Sequence, residues 1–450
     1  MNKTIVVFIS ICLLVFPIIL VGCAQNNVNP SESVVATVDG SGTALPSGSR
    51  SSAAATSDGN EPTFPFVTIN TENNAEIVSK DDYLTCSVSI NNCEEEYDLT
   101  EEPAQIKGRG NSTWDFPKKP YKLKFDSKID LFGNGKAKTW TLIANYVDKS
   151  LSRNLLAYNI ATAIGLENTT TTQCVHLTLN DDYQGVYLVC EQQEVGSTRI
   201  DIQDGLDDVD TGYLLELDAR AVDEGVEGID YFTFYGQPYG IKSPDVEDDD
   251  WNSNFIDYIS GYIADCYNAI LGNDYELIEQ LIDTESFAKC YIVHELMHCV
   301  DVGYSSFYMY KDAGGKLICG SVWDFDISSG NCDYEDDVND WSVMYAKNAN
   351  RWYKKLFAHE EFEELVSEIL YDNKTVIKNT IDEVVESQLN AKYDNELNFE
   401  VWNILNKYVW PNPQAILNLK TWESQLEYLQ SWLNSSLDCM LDEYFYSNAQ

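Results

Sequence analysis

The segment that most constrains the fold is ESFAKCYIVHELMHCV, residues 285–300. Drawn as a helix, it carries apolar side chains on almost every face, which is typical of a helix that is covered on all sides. The chain has 450 residues, 44% of them hydrophobic, and can supply that cover. The segment therefore predicts a central buried helix within a large folded domain.

Predicted strands dominate before this helix, and predicted helices dominate after it. Alternating or apolar runs predict strands at residues 64–70, 82–91, 118–126 and 211–218 and a hairpin at 174–192. Periodic runs predict helices at 148–166, 254–271, 360–372 and 421–445, and a strand–turn–strand unit lies at 305–326. This order predicts an α+β fold with two lobes and a helical C-terminal extension.

The net charge of −44 restricts the partners of the chain. Such a surface repels nucleic acid and anionic membrane surfaces, and it attracts basic substrates or divalent cations. We therefore expect no nucleic-acid partner, and a basic, Ser-rich protein would suit this surface as a substrate.

Residues 1–22 are typical of a targeting segment, in which Lys3 precedes an apolar run ending in LVGC. This ending resembles the lipobox of bacterial lipoproteins, which predicts a lipidated Cys23 that tethers the protein to the extracellular face of the cell membrane. A simple signal peptide and an uncleaved anchor helix are the alternatives. Residues 23–62 are rich in Ser, Thr, Gly, Ala and Asn and predict a flexible tether.

Ten cysteines remain besides Cys12 and Cys23, and an oxidising location would permit disulfides. Sequence alone does not determine their connectivity. The candidate pairs by position are Cys86 with Cys93, Cys174 with Cys190, and Cys299 with Cys319.

The letters HELMH at residues 294–298 match a zinc-hydrolase signature, with two histidines and a general-base glutamate on one helix face. A catalytic zinc site also needs a third protein ligand. No third histidine follows, and the next glutamate, Glu335, lies in an acidic loop. We therefore expect His294 and His298 to be packing residues and Glu295 to support a site nearby.

The stretch SVWDFDISSGN at residues 321–331 places Asp324 and Asp326 on either side of Phe325, at the end of a predicted strand. Two such carboxylates, together with Asn331, suit Mg²⁺ or Mn²⁺. Asp301 follows the central helix and precedes this stretch. Helix, loop aspartate, hairpin and metal-binding aspartate is the order found in the catalytic half of protein kinases.

A third candidate site lies in KGRGN, residues 107–111, before a strand that carries Lys122 and Lys124. The glycines would let backbone amides approach a phosphate, and a strand lysine could reach the same phosphate. A tight β-turn is the alternative. Arg109 between the glycines favours an anion site in so acidic a chain.

Five segments together resemble the spore coat protein H (CotH) kinase family, in the correct order from about residue 65 to 445. They are KGRGNSTWDFPKKPYKLKF, GKAKTWTLIANYVDKSLSRNLLAYNIA, GVYLVCEQQEVG, TGYLLELD and YMYKDAGGKLICGSVWDFD. The resemblance implies an atypical protein-kinase-like fold that uses ATP and Mg²⁺ or Mn²⁺ to phosphorylate Ser or Thr of secreted or coat proteins. Some relatives act in host attachment, so a kinase-like adhesin or scaffold is the alternative.

The resemblance also implies roles for individual residues. Asp324 and Asp326 match the acidic motif of the family and would bind metal, while the kinase-like order of elements described above makes Asp301 and Asp324 the expected catalytic residues. The implied nucleotide-binding residues are Gly108, Arg109, Gly110, Asn111, Lys122, Arg153 and Glu191, and Asp148 and Asn154 match the same helix start as Arg153. Ser306 stands where relatives often have Asn, so one metal ligand would be missing or replaced by water.

The implied domain covers residues 63–450. We expect a strand-rich N-lobe at about 63–220, a catalytic lobe at about 221–350 and a helical tail at about 351–450.

Overall fold

The computed structural model describes residues 61–445, which combine strands and helices as an α+β fold. The predicted signal segment, Cys23 and nearly all of the predicted tether lie outside these residues. The predicted α+β class is confirmed, and its elements assemble into a barrel, a second sheet and a group of helices.

The first part of the chain closes a seven-stranded barrel in the order β1-β2-β3-β4-β5-β7-β6. Its strands are β1 Phe66–Thr71, β2 Leu84–Asn91, β3 Leu99–Gly108, β4 Tyr121–Asp130, β5 Lys136–Ile143, β6 Thr172–Leu179 and β7 Asp182–Glu191. Neighbours are antiparallel except β1 and β6, whose parallel pairing closes the barrel. Alternation along β4 buries Leu123 and Phe125 in the barrel core and turns Lys122 and Lys124 outward, as predicted.

A second sheet has the order β12-β11-β8-β10-β9. Its strands are β8 Tyr213–Leu217, β9 Tyr231–Phe234, β10 Gln237–Ser243, β11 Phe307–Lys311 and β12 Ile318–Cys319. β8 is the central strand and pairs with β10 and β11. This corrects the predicted lobe boundary near residue 220, because β8 belongs with the later strands and not with the barrel.

Helices cover both sheets within the described residues. They are α1 Ser112–Asp115, α2 Arg153–Ala163, α3 Ala221–Glu224, α4 Ser253–Leu271, α5 Tyr275–Leu281, α6 Thr284–Met297, α7 Tyr345–Ala349, α8 Arg351–Leu356, α9 Glu360–Asn390, α10 Lys392–Val401, α11 Gln414–Asn418 and α12 Trp422–Glu443. None of these helices is long and apolar enough to cross a membrane.

The apolar segment at residues 285–300 forms α6, which is buried along almost its whole length and contacts α2, α7, α9, α12 and β12. The prediction of a central helix is therefore confirmed. The helices after residue 351 share its core, and α10 is joined to the barrel by a buried contact of 2.9 Å between His176 Nε2 and Asp394 Oδ1. The helical tail is thus packed into the fold rather than appended to it.

The structure corrects the three candidate disulfides, because all ten cysteines of residues 61–445 are free thiols. In the β6–β7 hairpin, Cys174 lies opposite Leu188 while Cys190 lies opposite Thr172, so the two side chains are out of register. Cys299 and Cys319 also have separate surroundings, since Cys299 Sγ lies 3.8 Å from the Asp324 carbonyl and Cys319 Sγ lies 3.9 Å from the Tyr353 hydroxyl.

The zinc alternative fails because the two histidines do not share a helix face. α6 ends at Met297, and His298 takes a left-handed conformation with φ of 47°. His294 Nδ1 lies 2.8 Å from the Tyr353 hydroxyl. Burial lowers the pKa of His294 to about 3 and that of His298 to about 4. Both are neutral packing residues.

Glu295 supports the fold beside the Asp301 turn. Its carboxylate accepts hydrogen bonds from the amides of Ala346 (3.0 Å) and Lys347 (2.8 Å) at the start of α7. Burial raises the pKa of Glu295 to about 7. The glutamate of HELMH therefore anchors α7 to α6, in the supporting role that was predicted for it.

Candidate active site

A cleft of about 530 Å³ opens between the end of the barrel and the second sheet. Two loops supply its acidic side chains: the Asp301 loop (residues 301–306) and the WDFD loop (residues 323–326). The loop after β3 and the start of α2 complete its wall. The cleft is therefore assembled from segments that lie far apart in the chain.

The Asp301 loop follows α6, which ends at Met297. Its backbone is held tightly, because the Asp301 carbonyl accepts hydrogen bonds from the amides of Tyr304 (2.7 Å) and Ser305 (2.9 Å). Asn350 Nδ2 donates to the Val302 carbonyl at 2.7 Å. Burial and the neighbouring Asp324 carboxylate raise the pKa of Asp301 to about 6. Asp301 is thus a fixed carboxylate poised near neutral pH.

The WDFD loop does not continue a strand, which corrects the prediction. β12 ends at Cys319, and Asp324 has a left-handed φ of 71°. Non-glycine residues in this conformation are strained and cluster at functional sites. The loop is pinned because the Phe325 amide donates to Asn154 Oδ1 at 2.9 Å. Ser306 Oγ donates to Asp324 Oδ2 at 3.3 Å, so the two loops meet at these side chains.

Asp326 lies deeper in the same cleft and is 8% exposed. Burial and the nearby carboxylates of Asp324, Asp148 and Asp301 raise its pKa well above the usual range. Carboxylates that repel one another in a buried cleft fit a divalent cation, which would relieve that repulsion. Within residues 61–445, no group of three or more His, Cys, Asp or Glu side chains is arranged to hold a metal ion. The protein could therefore supply only part of the coordination shell.

Arg153 was predicted to bind nucleotide, and its position corrects that prediction. The side chain is fully buried, with Nη1 2.5 Å from Asp148 Oδ1. Nε donates to the Ser328 carbonyl at 2.9 Å and Nη2 to the Ser329 carbonyl at 3.2 Å. Arg153 therefore holds the turn that follows the WDFD loop and does not line the cleft.

Asn331 has a similar supporting position. Its Nδ2 donates to the carbonyls of Val147 (3.1 Å) and Asp326 (2.8 Å), and its Oδ1 accepts from Asn412 Nδ2 at 2.8 Å. The side chain is fully buried and lies outside the cleft wall, so it is not placed to join Asp324 and Asp326 at a metal ion.

The loop after β3 reaches the cleft with three of its four predicted residues, Arg109, Gly110 and Asn111. Gly110 has a φ of +84°, which favours glycine. Gly108 instead leaves room for a ring, since a Cβ there would lie 2.4 Å from Trp114. The Arg109 guanidinium lies 5.5 Å from the Trp323 ring centroid, so this cation sits over the first residue of the WDFD loop.

Lys122 and Glu191 are not part of the cleft wall, which corrects their predicted roles. Lys122 lies on the outer face of β4 opposite Lys107, where burial lowers its pKa and Glu194 opposes that shift. Glu191 forms an ion pair with Arg199 and lines a separate cavity of about 360 Å³. Neither side chain is brought to the aspartates.

Comparison with known families assigns most of the chain to one of them. A model of the family described as CotH kinase protein matches residues 106–440, which is well over half of the chain. The chain belongs to the CotH kinase protein family. The resemblance drawn from the five sequence segments is thereby confirmed for that span. A comparison with curated proteins gave no match.

Among the charged cleft residues of this CotH kinase family member that the sequence analysis did not single out, four form two ion pairs. They are Glu216, Asp218, Arg220 and Lys242. Lys242 Nζ lies 2.9 Å from Glu216 Oε2, and although burial opposes its charge, Glu216 raises the pKa of Lys242. Arg220 Nε lies 3.3 Å from Asp218 Oδ1.

A sequence signal for these residues was present. Glu216 and Asp218 stand two apart at the end of the apolar strand β8, and a spacing of two places both on one face. Two acidic residues at the end of a buried strand lower the stability of the fold unless they are paired, so their presence indicates a pairing or functional role. The same criterion applied to residues 211–218 would have identified them.

Proposed function

We propose that the protein is an ATP-dependent protein kinase that phosphorylates Ser or Thr of secreted or coat proteins, with Mg²⁺ or Mn²⁺. The observation that supports this most is the convergence of the Asp301 loop and the WDFD loop in one cleft. Membership of the CotH kinase protein family supports kinase chemistry in general. In this proposal the barrel and the second sheet are the two lobes of a kinase-like fold, and the cleft between them is the nucleotide site.

The residues have distinct tasks in this proposal. Asp301 orients the acceptor hydroxyl and accepts its proton, since a carboxyl with a pKa near 6 is mostly ionised at neutral pH. Asp324 and Asp326 hold the metal, and Arg109 neutralises phosphate oxygens. ATP and the cation would supply the phosphoryl group and its charge neutralisation. Positioning and electrostatics then account for catalysis.

The experiment that tests the function is transfer of labelled γ-phosphate from ATP with Mn²⁺ or Mg²⁺ present. We expect labelled phosphoserine or phosphothreonine with wild type, and a loss of most label with Asp301→Asn. Nucleotide binding must also stabilise the fold, by about 2.7 kcal/mol at 100 times the Kd. Stabilisation by Mg·ATP without transfer would indicate a catalytically weak member. The absence of both effects would favour the adhesin or scaffold alternative and would contradict the proposal.

The pH dependence of transfer should report Asp301. Because its folded pKa is raised to about 6, the carboxyl becomes protonated as the pH falls through that value, and kcat/KM should fall with it. Arg220 opposes the upward shift of this pKa, so Arg220→Gln should move the acidic limb to higher pH. Lys138→Gln, which removes one exposed positive charge on β5, is the matched control. If the fall of kcat/KM at acidic pH has the same midpoint in Arg220→Gln and Lys138→Gln, Asp301 is not the titrating group.

We also propose that a lipidated Cys23 tethers this kinase to the extracellular face of the cell membrane. The support is the LVGC ending of the targeting segment in the sequence.

A further inference from the structure

A second cavity of about 530 Å³, here called the basic groove, lies beside the Asp301 loop. It is formed by the residue after β9, the C-terminal half of α4, and α8. Its principal side chains are Tyr235, Tyr267, Leu271, Arg351, Lys354 and Lys355. None of them takes part in the chemistry proposed above.

The charge of the groove is opposite to that of the chain. The chain has 29 Lys and Arg against 73 Asp and Glu, yet three cations fall within five residues of α8. None of the three forms an ion pair with a carboxylate of residues 61–445. Arg351 and Lys355 are also a like-charge pair four apart on a helix, which is unfavourable. The groove thus concentrates positive charge that the described fold does not neutralise.

The groove also exposes apolar surface. Tyr235 is 57% exposed and Leu271 is 46% exposed. The rings of Tyr235 and Tyr267 lie 5.2 Å apart between centroids, and Gln237 Oε1 is buried there without a hydrogen-bond donor from the described residues. Aromatic residues and Arg are the side chains that dominate the energetics of protein–protein contacts. A ligand for this groove would therefore carry apolar as well as anionic groups.

The groove is coupled to the proposed catalytic residue through contacts with the backbone of the Asp301 loop. Gln237 Nε2 donates to the Gly303 carbonyl at 3.2 Å. A Cβ at Gly303 would lie 2.2 Å from the Ala349 carbonyl oxygen, so the Asp301 loop packs directly on the residues before α8. Asn350 Nδ2 donates to the Val302 carbonyl, as described above. A peptide bound in the groove would lie along the same loop that presents Asp301.

We propose that the basic groove binds an acidic segment of the protein substrate, one with an aromatic or aliphatic side chain beside its carboxylates, while a Ser or Thr of that substrate reaches Asp301. This inference rests on the proposed kinase function and specifies its substrate class. It differs from the basic substrate expected from net charge, because the local charge of the groove is positive while the chain as a whole is negative.

The test compares Lys354→Glu/Lys355→Glu with Lys374→Glu/Lys378→Glu, an equal charge change at exposed positions of α9. In a binding assay without ATP, a short fluorescein-labelled peptide of Glu with one central Phe is followed by anisotropy. We expect the groove variant to bind this peptide at least about 10-fold more weakly than wild type, because it loses the charged hydrogen bonds from Lys354 and Lys355 to the carboxylates of the peptide. The affinity of the α9 variant should equal that of wild type. The same peptide made of Lys should not bind the groove of wild type.

The second arm measures transfer to positional-scanning peptides with one central Ser. We expect wild type to prefer Asp or Glu at one or more positions away from the Ser, and the groove variant to lose that preference through a higher KM at unchanged kcat. Transfer by wild type with only basic preferences, or equal loss in both variants, overturns the docking proposal and leaves the kinase proposal standing. If wild type transfers no phosphate to any peptide, both the kinase proposal and the substrate role of the groove are contradicted. This holds even if the anisotropy assay shows that the groove binds the acidic peptide.

Discussion

Replacing Asp324 with Ala is expected to lower the rate of γ-phosphate transfer on the order of 10³-fold, the cost of removing one preorganised electrostatic group. Asp324 meets the Asp301 loop directly, through Ser306. It is also held in a left-handed conformation that the surrounding structure must enforce. Initial rates with labelled ATP and Mn²⁺ measure the effect.

The matched control is Asp336→Ala, which removes an exposed carboxylate shortly after the WDFD loop. We expect this control to retain the wild-type rate. The Asp324→Ala variant should remain folded, because removing the carboxylate that raises the pKa of Asp301 also lowers repulsion in the cleft. A variant that is folded and as active as wild type would refute the assignment of Asp324 to the metal site.

Replacing Asp148 with Asn is expected to lower the free energy of unfolding by about 3–5 kcal/mol, the range for leaving a buried charge without its partner. The Arg153–Asp148 pair is completely buried. Asp148 also accepts hydrogen bonds from the amides of Ser150 (3.0 Å) and Arg153 (2.8 Å), and an Asn amide would turn a donor toward one of them. Denaturant unfolding followed by circular dichroism gives the value.

The control for this prediction is Glu285→Gln, which breaks the ion pair with Lys289 on the surface of α6. An exposed pair four apart on a helix contributes only about 0.3–0.5 kcal/mol. If Asp148→Asn cost no more than this control, the buried pair would not be what holds Arg153 and the turn at residues 328–329. Because that turn follows the WDFD loop, we also expect transfer activity to fall in Asp148→Asn at temperatures where it remains folded.

Much of the local structure follows from the order of apolar residues along the chain. Alternation in β4 and the all-round apolar surface of α6 are properties of short segments, so the sequence predicts them directly. The WDFD loop shows the limit of that reasoning. Its alternating letters continue a strand pattern, but the pairing of β11 with β12 ends at Cys319 and leaves the aspartates in a loop.

The candidate site was predictable only in part. Asp301, Asp324, Asp326 and Arg109 meet in the cleft as the motifs indicated. The structure does not place Lys122 at the cleft, because the alternation that buries its neighbours turns its side chain to the outer face of the barrel. Arg153 does not line the cleft, because its guanidinium is bound to buried partners. One of these partners, the Ser328 carbonyl, lies 175 residues away in the chain, and no spacing rule reveals such a contact.

The sequence by itself determined the α+β class, the central helix, the family and the presence of acidic residues suited to phosphoryl transfer. These properties are carried by local periodicity and by motifs that survive as strings of letters. Only the tertiary structure decided which charges share a cleft, which are buried supports and which have no carboxylate partner among residues 61–445, as in the basic groove. The reason is physical: desolvation and pairing depend on groups brought together by packing, and sequence distance does not measure that proximity.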